Sequence, residues 1–101
     1  MDADRDVVWI TTRRIKADSY EAFREAWRPK DFPEGMLTAY ECWSDERDVI
    51  VGFSTWSSLE ALDEYRGSDV EADRRRAMEP FVEDESSGQY AGRELEIPND
   101  D

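Results

Sequence analysis

The sequence contains no histidine. That single absence removes a His-centred triad, a His-ligated zinc and a proximal-His haem. Cysteine is almost missing as well: Cys42 stands alone, so no disulfide can form within the chain. Lysine is scarce, with Lys16 and Lys30 the only two among 13 basic residues. Positive charge is in deficit overall, because 26 acidic residues leave a formal net charge of −13. A field of that sign repels phosphate backbones and anionic headgroups, so neither nucleic acid nor a membrane surface is an expected partner. Many carboxylates with few lysines fit a salt-adapted protein and a GC-rich coding sequence equally. No apolar run approaches the length of a membrane span, and Met1-Asp2-Ala3-Asp4 does not read as a secretory signal. No segment has calcium-loop spacing, so no metal site is expected. The simplest reading is a soluble cytoplasmic protein.

What is present suits one domain spanning residues 1–101. Hydrophobic residues make up 39 % and aromatics 12 %, enough for a small core. Four tryptophans exceed what a minimal core requires, and the surplus points either to bulk packing or to a pocket or subunit interface.

After a polar lead-in (Asp2 to Asp6), the β-branched run Val7 to Ile15 reads as a strand. Asp18 followed three residues later by Glu21 has capping-box spacing, and Tyr20, Phe23 and Trp27 then share one helical face. Pro29 and Pro33 limit this helix. A second strand, Met36 to Ser44, would set Leu37, Ala39 and Trp43 against Met36, Tyr40 and Cys42, with Cys42 packing as a small apolar group. After a short turn, Asp48 to Trp56 forms a third strand, which makes the pair an antiparallel hairpin.

The next helix restates the first. SYEAFREAW from Ser19 and SLEALDEYR from Ser58 share Ser, Glu-Ala and a later Glu, and Ser57 with Glu60 repeats the cap spacing. A third start at Ser68 and Glu71 opens a short helix with Val70, Arg74, Ala77 and Met78 on one face, ended by Pro80. Glu79 to Gly88 reads as a connection, its acids Glu83 to Glu85 as a solvated loop, and Gln89 to Ile97 as the last strand. This order predicts an α+β fold, the ferredoxin-like βαββαβ antiparallel sheet with helices on one face.

Such a sheet has a second face that nothing in the chain covers. Val8, Ile10 and Tyr40 would lie there, and an open apolar face implies a partner, most economically a second copy packed sheet to sheet. The alternative is a monomer whose outer face is made polar by Thr12, Arg14, Glu94 and Glu96.

The run Trp56-Ser57-Ser58-Leu59-Glu60-Ala61, of the form Trp-x-Ser-x-Glu-Ala, followed by YRGSDV from Tyr65, resembles the antibiotic-biosynthesis-monooxygenase-like proteins, the dimeric α+β barrels. The resemblance extends from about Val7 to Ile97. It implies a homodimer, and members include cofactor-free oxygenases that convert polycyclic phenols to quinones. Its haem-degrading members carry Asn, Trp and His where this chain has Thr11, Tyr65 and, approximately, Arg75. With all three different and no His, haem degradation is not expected. A cofactor-independent monooxygenase acting on an aromatic or polyketide-like molecule is the leading expectation. A non-catalytic dimer that binds a hydrophobic small molecule or has a structural role is the alternative, and a cyclase or isomerase suits the same fold.

No cofactor is expected. The chemistry needs a dry aromatic pocket and groups that orient a phenolate. Trp9, Trp27, Trp56 and Tyr65 are candidates for its walls, with Thr11, Arg13 and Arg75 as polar contacts. Trp56 and Trp27 have a plainer reading as packing, and the run Arg74-Arg75-Arg76 reads either as an attractor for an anionic substrate or, more plainly, as a solvated helix end. Without His, the general base would be a carboxylate, a tyrosine or water.

Overall fold

The computed structural model describes residues 5–28 and 32–98. Pro29, invoked above as a helix limit, lies outside the described residues, as do residues 1–4 of the lead-in and 99–101 of the tail. The elements run β1 (Asp6–Ile15), α1 (Tyr20–Trp27), β2 (Met36–Trp43), β3 (Val49–Trp56), α2 (Leu59–Arg66), α3 (Asp69–Met78), a 3-10 turn (Glu79–Phe81) and β4 (Val82–Gly92). The strands form one antiparallel sheet in the order β2-β3-β1-β4, the expected ferredoxin-like arrangement. A tight turn closes the β2–β3 hairpin: Arg47 takes a positive φ of 59°, and the Ser44 hydroxyl donates to Asp48 at 2.8 Å.

Register divides the side chains of β1 cleanly. Val7, Trp9, Thr11 and Arg13 pair with Trp56, Ser54, Gly52 and Ile50 on the face that the helices cover. Val8, Ile10 and Thr12 pair with Thr55, Phe53 and Val51 on the face left bare. Two core clusters fill the covered side. Ile15, Phe23, Ile50 and Met78 form one, and Trp56, Leu62 and Tyr65 form the other. The two restated helices are both eight residues long, start after equivalent serines, and each buries its fourth residue completely, Phe23 and Leu62 at 0 % exposure.

Several expectations are corrected. Asp18 caps nothing: its φ of 62° turns the chain, and the N-cap is Ser19, which makes no side-chain cap bond. The second cap is Ser58 rather than Ser57: Ser58 Oγ accepts from Ala61 N at 3.1 Å, while the Ser57 amide donates to Gly35 O at 2.8 Å. Strand β2 shifts register between Met36 and Thr38, and this bulge exchanges the first two residues. Met36 joins the covered core, Leu37 is left 52 % exposed, and Cys42 is exposed on the bare side.

The buried stripe of α3 is Glu71, Arg74 and Met78, while Val70 and Ala77 face out. The last strand begins seven residues before the expected start, at Val82 rather than Gln89, and ends at Gly92. Its acidic first half pairs with the arginines of β1, Glu85 with Arg13 at 2.7 Å and Asp84 with Arg14 at 3.8 Å. Charge pairing across the ladder there replaces the β-branched composition that marks other strands. Among the described residues, no helix is long and apolar enough to cross a membrane.

Candidate active site

Between the two core clusters the covered face turns polar. Strand alternation aims Trp9, Thr11 and Arg13 at the helices, and Gly52 lies directly across from Thr11. A Cβ at Gly52 would come within 2.8 Å of Thr11 Oγ1 and 3.5 Å of the Trp27 ring, so glycine lets α1 settle its indole on the sheet. Trp27, Tyr65, Glu71 and Arg74 close a cavity of about 50 Å³ from the helix side.

At its wall lies a hydrogen-bonded triangle. Arg74 Nη1 donates to Tyr65 Oη at 2.7 Å and to Glu71 Oε1 at 2.6 Å, and Tyr65 Oη donates to the same Glu71 oxygen at 3.0 Å. Arg74 Nε donates to the Trp27 carbonyl at 2.9 Å, and its guanidinium lies 5.5 Å above the Trp27 ring. Glu71 is 2 % exposed, so this carboxylate is a buried charge held by one arginine. Burial raises the Tyr65 hydroxyl above its ordinary value, and the Arg74 charge only partly opposes this. Tyr65 is therefore a neutral phenol at neutral pH, a donor rather than a base.

Across the cavity, Arg13 is 4 % exposed and donates to Glu85 Oε2 at 2.7 Å and to Thr11 Oγ1 at 3.2 Å. Burial draws its basicity below that of an ordinary arginine, and Glu85 works against that. Trp9 stands edge-on to Tyr65 at 6.3 Å, and its Nε1 is buried without a hydrogen bond.

Of the residues singled out in the sequence, Trp9, Thr11, Arg13, Trp27 and Tyr65 line this one cavity. Trp56 does not reach it. It is 0 % exposed in the core beside Tyr65 at 5.4 Å, its Nε1 bonded to Ser54 Oγ at 2.9 Å. Arg75 points away from the cavity, half exposed, 3.7 Å from Glu85, and lines a neighbouring cleft. Arg74 was expected on the same helical face as Met78, but its pairing with a buried Glu71 at the cavity was not anticipated. Their i,i+3 spacing, with Met78 seven residues after Glu71, was the available signal for an inward-facing polar stripe.

Two larger concavities adjoin the site. An open groove of about 560 Å³ runs past Gly35, Ser57, Ala61 and Val70 to Tyr65. On the bare side, a depression of about 530 Å³ is lined by Val8, Leu37, Tyr40 and Phe53. Among the described residues no His, Cys, Asp or Glu cluster is placed to hold a metal ion.

The sequence matches no family model, and no curated protein matches it. Solved structures are similar throughout. A candidate antibiotic biosynthesis monooxygenase from Deinococcus radiodurans superposes with a TM-score of 0.79 at 16 % identity, over 92 % of this chain and 99 % of that one. SnoaB, a cofactor-independent oxygenase from Streptomyces nogalater, gives 0.78 at 14 % identity, over 92 % and 97 %. A candidate antibiotic biosynthesis monooxygenase from Nitrosomonas europaea gives 0.74 at 19 % identity, over 83 % and 95 %. The chain has the fold of antibiotic-biosynthesis-monooxygenase-like proteins, as the Trp-x-Ser-x-Glu-Ala run implied.

Proposed function

We propose that this protein is a cofactor-independent monooxygenase acting on an aromatic, polyketide-like small molecule, and that it works as a homodimer closed through its bare sheet face. The observation that carries the reading is the buried Tyr65–Glu71–Arg74 triangle facing Trp9 and Trp27, in a fold shared with a cofactor-independent oxygenase. One oxygen of Glu71 is bonded to Tyr65 and Arg74, and the other accepts no hydrogen bond from the described residues. That second oxygen takes the proton from a substrate phenol or its activated CH₂. Arg13 and Arg74 then stabilise the resulting anion in a site with little water.

The anion reduces molecular oxygen directly. The substrate CH₂ becomes a carbonyl, one oxygen atom enters the product, and the other leaves as water with the two hydrogens. The balance is one O₂ per product, with no external reductant. A cytoplasmic location accompanies this reading, since the exposed, unpaired Cys42 thiol suits a reducing compartment.

The size of the cavity favours a second reading. Its 50 Å³ is below the roughly 150 Å³ that admits a benzene ring, so a substrate enters only as Trp27 and α1 shift. A non-catalytic dimer of the same fold, binding a small molecule in the open clefts or serving a structural role, requires no such shift. Oxygen-electrode measurements with hydroxyanthrone-like phenols separate the two. The oxygenase reading expects uptake above the background rate, matched by quinone formation and reduced at least about tenfold by Glu71→Gln. Binding without uptake across the panel rejects it in favour of the second.

A further inference from the structure

We infer that the cleft beside β4 binds a small aromatic carboxylate, gripped by Arg13, Arg66 and Arg75. This holds whether the protein transforms its ligand or only binds it. The cleft, about 190 Å³, adjoins the cavity and shares Trp9, Thr11 and Arg13 with it. A benzene ring needs a cavity of about 150 Å³.

Charge sets this cleft apart. In a chain with a formal charge of −13, three arginines converge on it, facing only Glu71 and Glu85. Glu71 is occupied by Arg74 at 2.6 Å, and Glu85 by Arg13 at 2.7 Å. Arg75 reaches Glu85 only at 3.7 Å. Arg66 bonds the neutral amide of Gln89 at 3.0 Å, and among the described residues no carboxylate lies within ion-pair distance of it. Among the described residues Arg66 is therefore left without a close counter-ion, and Arg75 has only the Glu85 carboxylate that it shares with Arg13, on the rim of a cleft in an acidic protein.

The rest of the lining is rich in donors. The Ser87 hydroxyl, opposite Thr11 on the covered face, makes no hydrogen bond among the described residues, and Trp9 Nε1 is buried without a partner among them. A carboxylate offers only acceptors, which is what such a wall requires. Glu85 illustrates the fit, since its own carboxylate spans Arg13 and Arg75. The ring is specified by Trp9, a flat apolar wall already covered on one side by Arg66 at 5.3 Å. Inorganic phosphate has no use for that wall, and its second charge meets the repulsion of the acidic chain.

Benzoate is the probe, titrated into the full chain by amide NMR at fixed ionic strength, beside benzyl alcohol, benzylamine and inorganic phosphate. Benzoate is expected to saturate and to bind about tenfold tighter than benzyl alcohol, the worth of one charge-assisted contact. Arg66→Gln and Arg75→Gln each weaken benzoate about fivefold and leave benzyl alcohol unchanged. Both side chains are exposed, so thermal melts of the variants are expected to match the parent. Benzoate binding no tighter than benzyl alcohol, phosphate binding tighter than benzoate, or a preference that survives both substitutions overturns the assignment. Oxygen uptake is not read in this experiment, so its failure leaves the oxygenase reading untouched.

Discussion

Both apolar clusters lie on the covered side of the sheet, yet each face departs in part from an ordinary layered domain. The covered face carries Thr11, Arg13, Glu71 and Arg74, all inside, while the bare face carries Val8, Ile10, Val51 and Phe53 with Tyr40 at 61 % and Tyr90 at 58 % exposure. Burying charge costs stability unless each ion is paired, and leaving apolar surface open forgoes the hydrophobic gain. A domain arranged only for its own stability would place these sets the other way round. These departures are what the proposed function draws on: an interior for chemistry or binding and an exterior for a second copy of the chain.

The sharpest way to break the comparison is to strand the interior carboxylate. Arg74→Ala leaves Glu71 buried and unpaired, with an expected loss of about 3–5 kcal/mol by urea denaturation, whereas Arg75→Ala stays within about 0.5 kcal/mol. Equal losses at the two neighbours would mean that the interior charges are not tightly coupled. On the other face, Phe53→Glu puts a charge among apolar neighbours. It is expected to raise the dimer dissociation constant about a hundredfold, read by sedimentation at micromolar concentration. A parent that sediments as a monomer would remove the exterior half of the argument.

Tyr65→Phe tests the interior more gently, with an expected cost of about 1 kcal/mol at neutral pH. Its pH signature is specific. Burial raises the Tyr65 value above 10.0, so the unfolded chain loses this proton first as pH rises. Stability from this group is complete below 10.0 and falls above it, up to the raised folded value. Chemical denaturation from pH 9 to 11 should therefore show a steeper alkaline decline in the parent than in Tyr65→Phe. The smallest contrast compares the restated helices: Ser58→Ala is expected to cost about 1 kcal/mol and Ser19→Ala a few tenths, because only Ser58 makes its cap bond.

Hydrophobic periodicity, helix-cap spacing and turn residues together were sufficient for the order of elements, because β-branched runs and aromatic helix stripes record burial directly and caps and prolines mark the ends. Periodicity failed where charge takes over from hydrophobicity. The strand through Glu83, Asp84 and Glu85 reads as a loop because its partners, Arg13 and Arg14, are distant in sequence. Glu71 read as a helix start and Arg74 as part of a basic run, and their pairing stayed hidden for the same reason: a buried ion pair leaves no apolar signature. The Met36–Leu37 exchange was illegible for another cause, since a bulge changes register without changing composition. Among the candidate site residues, the sequence named Trp9, Thr11 and Arg13 without deciding which face Trp9 takes, and both their shared face and the separation of Trp56 from the cavity depended on tertiary packing.

Ser68 has a consequence for motion. Its hydroxyl donates to the Tyr65 carbonyl at 2.6 Å and accepts from the Glu71 amide at 3.2 Å, pinning the end of α2 to the start of α3. The two helices are thereby tied at their junction, so Tyr65 and Glu71 are expected to keep their spacing in any opening of the interior. The latch lies at the far end, where Arg74 holds the carbonyl of Trp27 at the close of α1. Under the proposed function, loss of that bond is expected to let Trp27 move while the triangle of Tyr65, Glu71 and Arg74 stays assembled, which would make admission and chemistry mechanically separate.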